Sequence, residues 1–259
     1  MISYIIAILI ALVLGQVTSH LISRLPEIIE DEDAIKKLIP TLKKGFKLDY
    51  KYSLILTVIF CLITYFVGTV YMSYIYMILV SMLMVALVID FKMQLIPDTV
   101  QAVVVLLGIV VTALDYTNWL NHIIGLVIGA GIFGLVAVFS LVVFRKEGMG
   151  MGDIKLMGGL GLIFGIKALP VSFLDFFSQA EIILTITVLA FFMAALVAIV
   201  LIITSKTDKA SYMAFGPYIV IATILIILFG TEPFLNAYFG MCTGLANVMT
   251  DLMFKLIGG

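Results

Sequence analysis

The sequence contains 259 residues, of which 63% are hydrophobic and only 12% are charged. Ordinary soluble domains have roughly 45–50% apolar and about 25% charged residues, so this composition excludes a soluble globular enzyme. It also excludes a disordered or nucleic-acid-binding protein, and the net charge of -1 identifies no partner.

Long uncharged stretches divide the chain into predicted membrane helices, because a membrane-spanning helix needs about 20 mostly apolar residues. The first stretch is Ile2–Ile22, and a polar segment, Arg24–Lys51, follows it. The next stretch, Tyr52–Ile89, is too long for one span, and Gly68 near its middle predicts two helices joined by a tight turn. Five further predicted spans are Thr99–Leu114, Ile123–Phe144, Ile154 to about Ser172, Ile182–Thr204 and Met213–Gly230.

These segments predict an all-α, polytopic membrane protein with about eight transmembrane helices. We divide the chain into a first transmembrane helix (1–23), a cytoplasmic loop (24–51), a transmembrane catalytic core (52–230) and a C-terminal tail (231–259). The tail is only moderately apolar, so we expect it to lie along the outer interface as an amphipathic helix.

The basic residues predict the orientation, because Lys and Arg accumulate in cytoplasmic loops. With eight spans and the N-terminus outside, the inner loops are 23–51, 90–98, 145–155 and 205–212. Of the 15 basic residues, only Lys167 and Lys255 lie elsewhere. The opposite orientation would place all the others outside, so we predict an outside N-terminus.

Three aspartates lie at the inner ends of predicted helices, where a carboxylate near the membrane is energetically costly. Asp98 follows Pro97 and precedes an apolar run, which predicts a helix N-cap. Asp153, taken alone, fits the same interpretation. Asp90 lies at a helix C-terminus, where the helix dipole disfavours an anion, so we infer that it has a chemical role.

Gly148, Gly150 and Gly152 alternate directly before Asp153. Glycine adopts backbone conformations closed to other residues and lets another chain approach closely, as a protease site requires. An isolated G-x-G-D string would otherwise indicate a flexible loop. We therefore consider Gly150, Gly152 and Lys155 as candidate substrate-binding or loop residues.

Two aspartates at one membrane face can hydrolyse a peptide bond without a metal or a cofactor. When two carboxylates share a site, one is protonated while the other is ionised. The ionised group takes a proton from water, and the protonated group donates to the carbonyl oxygen and later to the leaving nitrogen. Asp90 and Asp153 are therefore the candidate catalytic residues.

We expect no metal site and no cofactor. His20 and His122 lie near opposite predicted faces, so a site built on two histidines is not expected. Cys61 and Cys242 lie in apolar sequence and form no CxxC pair, which indicates two buried thiols.

Two other classes of protein remain as alternatives. An ion-coupled secondary transporter would also use membrane carboxylates, but it favours positions near the bilayer midplane and an internal repeat. A non-enzymatic scaffold would use glycines for helix packing alone. Four glycines have the small-xxx-small spacing of packed membrane helices; they are Gly125, Gly129, Gly161 and Gly165.

Four segments stand out in chain order: GQVTSHLISRLP at 15–26, IDFKMQLIPD at 89–98, GMGDIKLM at 150–157 and MAFGPYIV at 213–220. Together, and in this order, they resemble the motifs of the type IV prepilin peptidase family. The resemblance implies a G-x-G-D membrane aspartic protease in which Asp90 and Asp153 are catalytic.

The resemblance also implies a substrate and a location. Such enzymes remove the short basic leader of prepilin-like proteins at the cytoplasmic face of the cell membrane, just before the hydrophobic pilin helix. Prepilin-like precursors and membrane lipid would be the partners, and no nucleic acid is expected. Many bacterial members also methylate the new N-terminus with S-adenosylmethionine and carry a cysteine tetrad in the first cytoplasmic loop. The loop Arg24–Lys51 has no cysteine, which argues against methyltransferase activity.

Overall fold

The computed structural model describes residues 2–29, 50–68, 71–145, 148–168, 178–204, 214–240 and 243. Within these ranges the regular secondary structure is entirely helical, which confirms the all-α prediction. Most of the predicted cytoplasmic loop 24–51 and most of the predicted tail 231–259 lie outside the described residues.

Eight helices of the described chain occupy the positions of the predicted spans. They are α1 (Ile2–Ile29), α2 (Tyr50–Phe66), α3 (Tyr71–Met93), α4 (Asp98–Leu114), α5 (Trp119–Phe144), α6 (Met151–Phe164), α7 (Glu181–Ile203) and α8 (Gly216–Phe229). A short 3₁₀ helix, Tyr116–Asn118, joins α4 to α5. A ninth helix, α9 (Glu232–Gly240), follows α8 at an angle of 109°.

Fewer of these helices are long enough to cross a membrane than the sequence predicts. Four spans qualify by length and composition: three lie within α1, α3 and α7, and one consists of the 3₁₀ helix together with α5. The bent pair α8 and α9 gives a fifth if it counts as one span. α2 and α4 have 17 residues each and α6 has 14. At 1.5 Å per residue, α6 extends only about 21 Å, against a hydrocarbon core of about 30 Å. The described chain is therefore a multi-pass membrane protein with four to five such spans.

Gly68 separates α2 from α3, as predicted. Its φ is +85°, a conformation that strains any residue with a Cβ, and a Cβ there would meet nothing within 4 Å. The turn therefore requires glycine for its backbone conformation rather than for space. The Ser73 hydroxyl donates a hydrogen bond of 2.6 Å to the Gly68 carbonyl and fixes the start of α3.

Glycines bring α5 and α6 into close contact. A Cβ added to Gly125 would overlap the carbonyl oxygen of Gly161, and a Cβ added to Gly161 would overlap the carbonyl oxygen of Gly125. A Cβ on Gly129 would overlap the Met157 carbonyl oxygen. The packing role that the small-xxx-small spacing predicts is thereby confirmed for this pair of helices. On its other side α6 contacts α4, so the short helix that carries Asp153 is held between two longer ones.

α3 is the central helix of the bundle and contacts α1, α4 and α8. Its buried residues occupy all faces, among them Leu79, Val80, Leu83 and Ile89. A helix that is apolar on every side is stable only when neighbours or lipid cover it. Asp90, near its C-terminal end, is therefore buried by the packing of the whole helix.

Candidate active site

Asp90 and Asp153 line one cavity at one end of the helix bundle. Asp90 lies three residues before the end of α3, and Asp153 is the third residue of α6. Both side chains are buried, with exposed fractions of 4% and 7%. The cavity has a volume of about 310 Å³, and the two carboxylates are close enough for their charges to interact. The structure thus brings the two predicted aspartates together.

A four-residue turn between α3 and α4 places the first aspartate. Gln94 has a φ of +53°, and its N–H donates a hydrogen bond of 2.8 Å to the Asp90 carbonyl. This left-handed residue ends α3, as such residues commonly end helices. Pro97, with a φ of -59° and a ψ of 133°, is the N-cap of α4. Because the residue before a proline disfavours helix, α3 and α4 remain separate.

The prediction that Asp98 is the N-cap of α4 is wrong. Pro97 holds that position with its extended backbone, and Asp98 is already the first helical residue. The Asp98 carboxylate instead accepts a hydrogen bond of 2.7 Å from Nζ of Lys155 on α6. Both side chains are largely exposed, so this ion pair is worth about 0.2–1 kcal/mol. Lys155, a predicted loop or substrate-binding residue, therefore lies at the rim of the cavity.

Asp153 is not an N-cap either, since Gly150 holds that position in α6. The N–H of Asp153 donates a hydrogen bond of 3.1 Å to the Gly150 carbonyl. In return the backbone N–H of Gly150 donates to the Asp153 carboxylate. A carboxylate at the third position that reaches back to the N-cap N–H is half of a capping box. This hydrogen bond from Gly150 fixes the Asp153 side chain at the start of α6.

The Asp90 carboxylate lies against Gly216, the first residue of α8. A Cβ on Gly216 would lie 2.6 Å from Oδ2 of Asp90 and 3.2 Å from its Cγ. The backbone N–H of Gly216 donates to the carboxyl group, whereas Oδ2 has no hydrogen-bond partner in the described part of the chain. Sequence reasoning noted the motif MAFGPYIV but assigned it no chemical role, and the structure places its glycine beside Asp90.

Gly150 and Gly152 differ in their surroundings. A Cβ on Gly152 would lie 3.2 Å from Cβ of Ile96 and 3.3 Å from Nε2 of Gln101, which is tight. A Cβ on Gly150 would have Oδ2 of Asp153, at 3.4 Å, as its nearest neighbour. Neither glycine has a positive φ, so the expected special backbone conformation is wrong at both. At Gly152, glycine is favoured by the close packing of Ile96 and Gln101 and not by the backbone conformation.

Gln101 is a residue of the cavity that sequence reasoning missed. Its side chain is 3% exposed, and its Nε2 donates a hydrogen bond of 2.9 Å to the Ile96 carbonyl. Its Oε1 is buried and has no hydrogen-bond partner among the described residues. A signal existed in the sequence, because Gln101 is the one amide side chain of α4 and directly precedes the uncharged apolar run 102–111.

His122 does not line the cavity of the two aspartates. Its ring nitrogens face the Leu162 carbonyl at 2.9 Å and the Asp115 carboxylate at 3.5 Å. Hydrogen bonds from the Asn118 amide hold the pKa of the Asp115 carboxyl below its usual range. Across the ranges that the structure describes, no three His, Cys, Asp or Glu side chains are grouped closely enough to hold a metal ion.

Known proteins similar to this chain were found by sequence. Residues 77–203, which include both aspartates, match the Type IV leader peptidase family. Three similar proteins are each named prepilin leader peptidase/N-methyltransferase. The one from Pseudomonas putida is 31% identical over 148 residues, 56% of this chain and 46% of the relative. The one from Neisseria gonorrhoeae is 30% identical over 141 residues, which are 53% of this chain and 42% of the relative. The one from Escherichia coli K12 is 36% identical over 84 residues, which are 32% of this chain and 37% of the relative.

The chain thus spans less than half the length of these curated relatives. No solved structure matches it. The resemblance carried by the motifs around Asp90 and Asp153 is nevertheless confirmed, because residues 77–203 match the Type IV leader peptidase family.

Proposed function

We propose that this protein is a membrane aspartic endopeptidase that removes the leader peptide of type IV prepilin-like precursors at the cytoplasmic face. One observation carries the proposal, namely the two buried carboxylates of Asp90 and Asp153 in a single cavity. The family of the matched segment and the names of its relatives support a prepilin precursor as the substrate.

In this mechanism Asp90 and Asp153 share one proton, because two adjacent carboxylates do not readily both ionise. The ionised carboxylate removes a proton from a water molecule as the oxygen of that water attacks the scissile carbonyl carbon. The protonated carboxyl donates its proton to the carbonyl oxygen. Collapse of the tetrahedral intermediate then breaks the C–N bond, and the leaving nitrogen receives a proton from the pair.

The depth of the site favours a peptidase over the transporter alternative. Asp90 lies only three residues, or about 4.5 Å along the axis, from the end of the 23-residue helix α3. Asp153 is in the first turn of α6. Coupling sites of secondary transporters lie near the bilayer midplane, whereas these carboxylates lie at helix ends that a peptide on the membrane surface can reach.

We further propose the finer topology, with about eight spans and the N-terminus outside. The α3–α4 turn and the α5–α6 connection both lie at the end of the bundle that carries the cavity, since four consecutive helices alternate in direction. The basic residues of the sequence concentrate in the loops at that end, which supports the cytoplasmic face. Short helices such as α6 would then span with locally thinned lipid.

We propose that Gly150 and Gly152, at the start of α6, lie against the substrate and that Lys155 lies at the entrance. Gly150 and Gly152 line the cavity together with the aspartates. The exposed ion pair of Lys155 with Asp98 lies at the rim. A basic leader would be attracted by Asp98 and repelled by Lys155, so this pair would affect how the leader enters.

For this chain we propose leader cleavage without N-methylation. The names of the relatives include both activities. Residues 24–51 contain no cysteine, which is the reason to separate the two activities here.

Co-expression with a prepilin-like precursor tests the proposal, with processing followed by the change in precursor size. Wild-type protein should cleave, and Asp90→Asn and Asp153→Asn should each abolish cleavage while the protein remains inserted. Asn keeps the shape of the side chain but does not cycle a proton. Asp115→Asn is the matched control, because Asp115 pairs with Asn118 and does not line the cavity.

Substantial processing by either cavity variant, or none by the wild type, would contradict the proposed function. If the wild type instead drove ion-dependent uptake in proteoliposomes, and the same two variants abolished it, the transporter would be the better interpretation.

A further inference from the structure

We infer that Gln101 is a substrate-binding residue whose Oε1 accepts a hydrogen bond from a main-chain N–H of the peptide. The inference rests on the proposed peptidase function and adds a residue to that site. Gln101 lines the same cavity as Asp90 and Asp153, so a peptide held against the carboxylates would also contact its carboxamide.

The orientation of the carboxamide is fixed by the turn before α4. Nε2 donates to the Ile96 carbonyl at 2.9 Å, and only the nitrogen end of a glutamine side chain can donate. A flipped amide would place two oxygens against each other. Nε2 also faces Gly152, where an added Cβ would lie 3.3 Å away. Ile96 before α4 and Gly152 in α6 therefore hold the nitrogen end, and Oε1 is left without a donor among the described residues.

The unsatisfied acceptor is the observation that points to a ligand. Gln101 is 3% exposed, and Oε1 has no hydrogen-bond partner among the described residues. Buried polar atoms without a partner are rare, because each loses its bond to water on folding. Oδ2 of Asp90 is a second buried acceptor of this kind in the same cavity.

A peptide main chain supplies the donors that such a cavity requires. When one peptide carbonyl lies against the aspartate pair, the N–H groups of neighbouring residues lie within a few ångströms of it. Gly150 and Gly152 line the same cavity. An acceptor for a main-chain N–H fits a peptidase of varied substrates, because every residue except proline carries that group.

A scan of ester bonds tests the inference. A synthetic precursor peptide that contains the leader and the start of the apolar helix is prepared in detergent. One amide at a time, other than the scissile one, is replaced by an ester, which removes the N–H and keeps the chain shape. Cleavage by purified wild-type protein, Gln101→Met and Gln101→Leu is then measured as kcat and KM.

In the wild type, an ester at one position near the scissile bond should raise KM about 3- to 10-fold, as expected for one lost hydrogen bond. Gln101→Met and Gln101→Leu should raise KM by a similar factor with the all-amide peptide. In both variants the ester at that position should then have no further effect. A structural defect alone would leave the effect of the ester in place.

An equal ester effect in the wild type and in both variants would overturn the assignment of Gln101. A wild-type scan in which no ester changes KM would also overturn this assignment, and that result does not depend on whether a variant folds. If wild-type protein does not cleave the all-amide peptide at all, the proposed function itself fails. Normal wild-type cleavage with no role for Gln101 would leave the peptidase standing.

Discussion

Gly216→Ala should inactivate the proposed peptidase without unfolding it. The added Cβ would lie 2.6 Å from Oδ2 of Asp90 and 3.0 Å from Cδ1 of Ile96. Ordinary van der Waals contact begins at 3.4 Å, so the carboxylate oxygen would have to move by about 0.8 Å. A misplacement of about 1 Å in a catalytic geometry can reduce the rate about 100-fold. We therefore expect a loss of kcat of roughly that size.

The same substitution should leave the fold intact. Gly216 is the first residue of α8 and has no positive φ, so its backbone accepts alanine. Alanine in a helix is favoured over glycine by about 0.5–1 kcal/mol, less at an end than in the interior. This gain opposes the cost of moving one carboxylate, and the amount of inserted protein should change little.

The assay is the rate of precursor cleavage by purified protein, measured alongside the thermal unfolding midpoint. Gly134→Ala is the matched control, because a Cβ at Gly134 on α5 would meet nothing within 4 Å. It should leave the rate unchanged and should not lower the midpoint, because alanine is favoured over glycine inside a helix. Cleavage by Gly216→Ala at nearly the wild-type rate would refute the reasoning, and so would a loss of rate that only follows a loss of folded protein.

Three further predictions concern the rim and the loop. Gly152→Val should reduce cleavage more than it reduces the amount of membrane-inserted protein, because its side chain would press on Ile96 and Gln101; equal losses, compared by immunoblot, would indicate packing alone. Asp98→Asn should keep cleavage within about 3-fold of wild type and cost no more than about 0.2–1 kcal/mol, the value of an exposed ion pair; an inactive variant would place Asp98 in the mechanism. Mass spectrometry of the mature pilin produced by this protein should find an unmethylated N-terminus, and a mass increase of one methyl group would contradict this.

The positions of the helices, the turn at Gly68 and the pair of aspartates could be predicted from the sequence alone. Absence of charge located the helices, and Gly68 marked a turn that only a positive φ permits. Asp90 and Asp153 could be paired because both followed or preceded apolar runs at the same predicted face. The helices and the turn were inferred from neighbouring residues, whereas the common face of the two aspartates was inferred from the basic residues along the whole chain.

Features that depend on how separate helices pack could not be predicted in this way. The partner of Asp98 is Lys155, 57 residues further along the chain, and only the placement of α4 beside α6 brings them together. Burial of Gln101 also follows from that placement. Absence of charge also does not reveal helix length, since it located α4 and α6 but did not show that they have only 17 and 14 residues.

The dipole of α3 alone disfavours an anion at Asp90, but a second helix also acts on this carboxylate. Asp90 lies at the negative end of α3, but the N–H that meets its carboxylate belongs to Gly216, at the N-terminus of α8. Asp153 receives its N–H from Gly150, at the N-terminus of α6. The positive ends of two helices therefore converge on the two carboxylates, as helix N-termini do on bound anions. This arrangement offsets part of the cost of burying negative charge, and it requires glycine at Gly216, because a Cβ there would displace the carboxylate that its N–H binds.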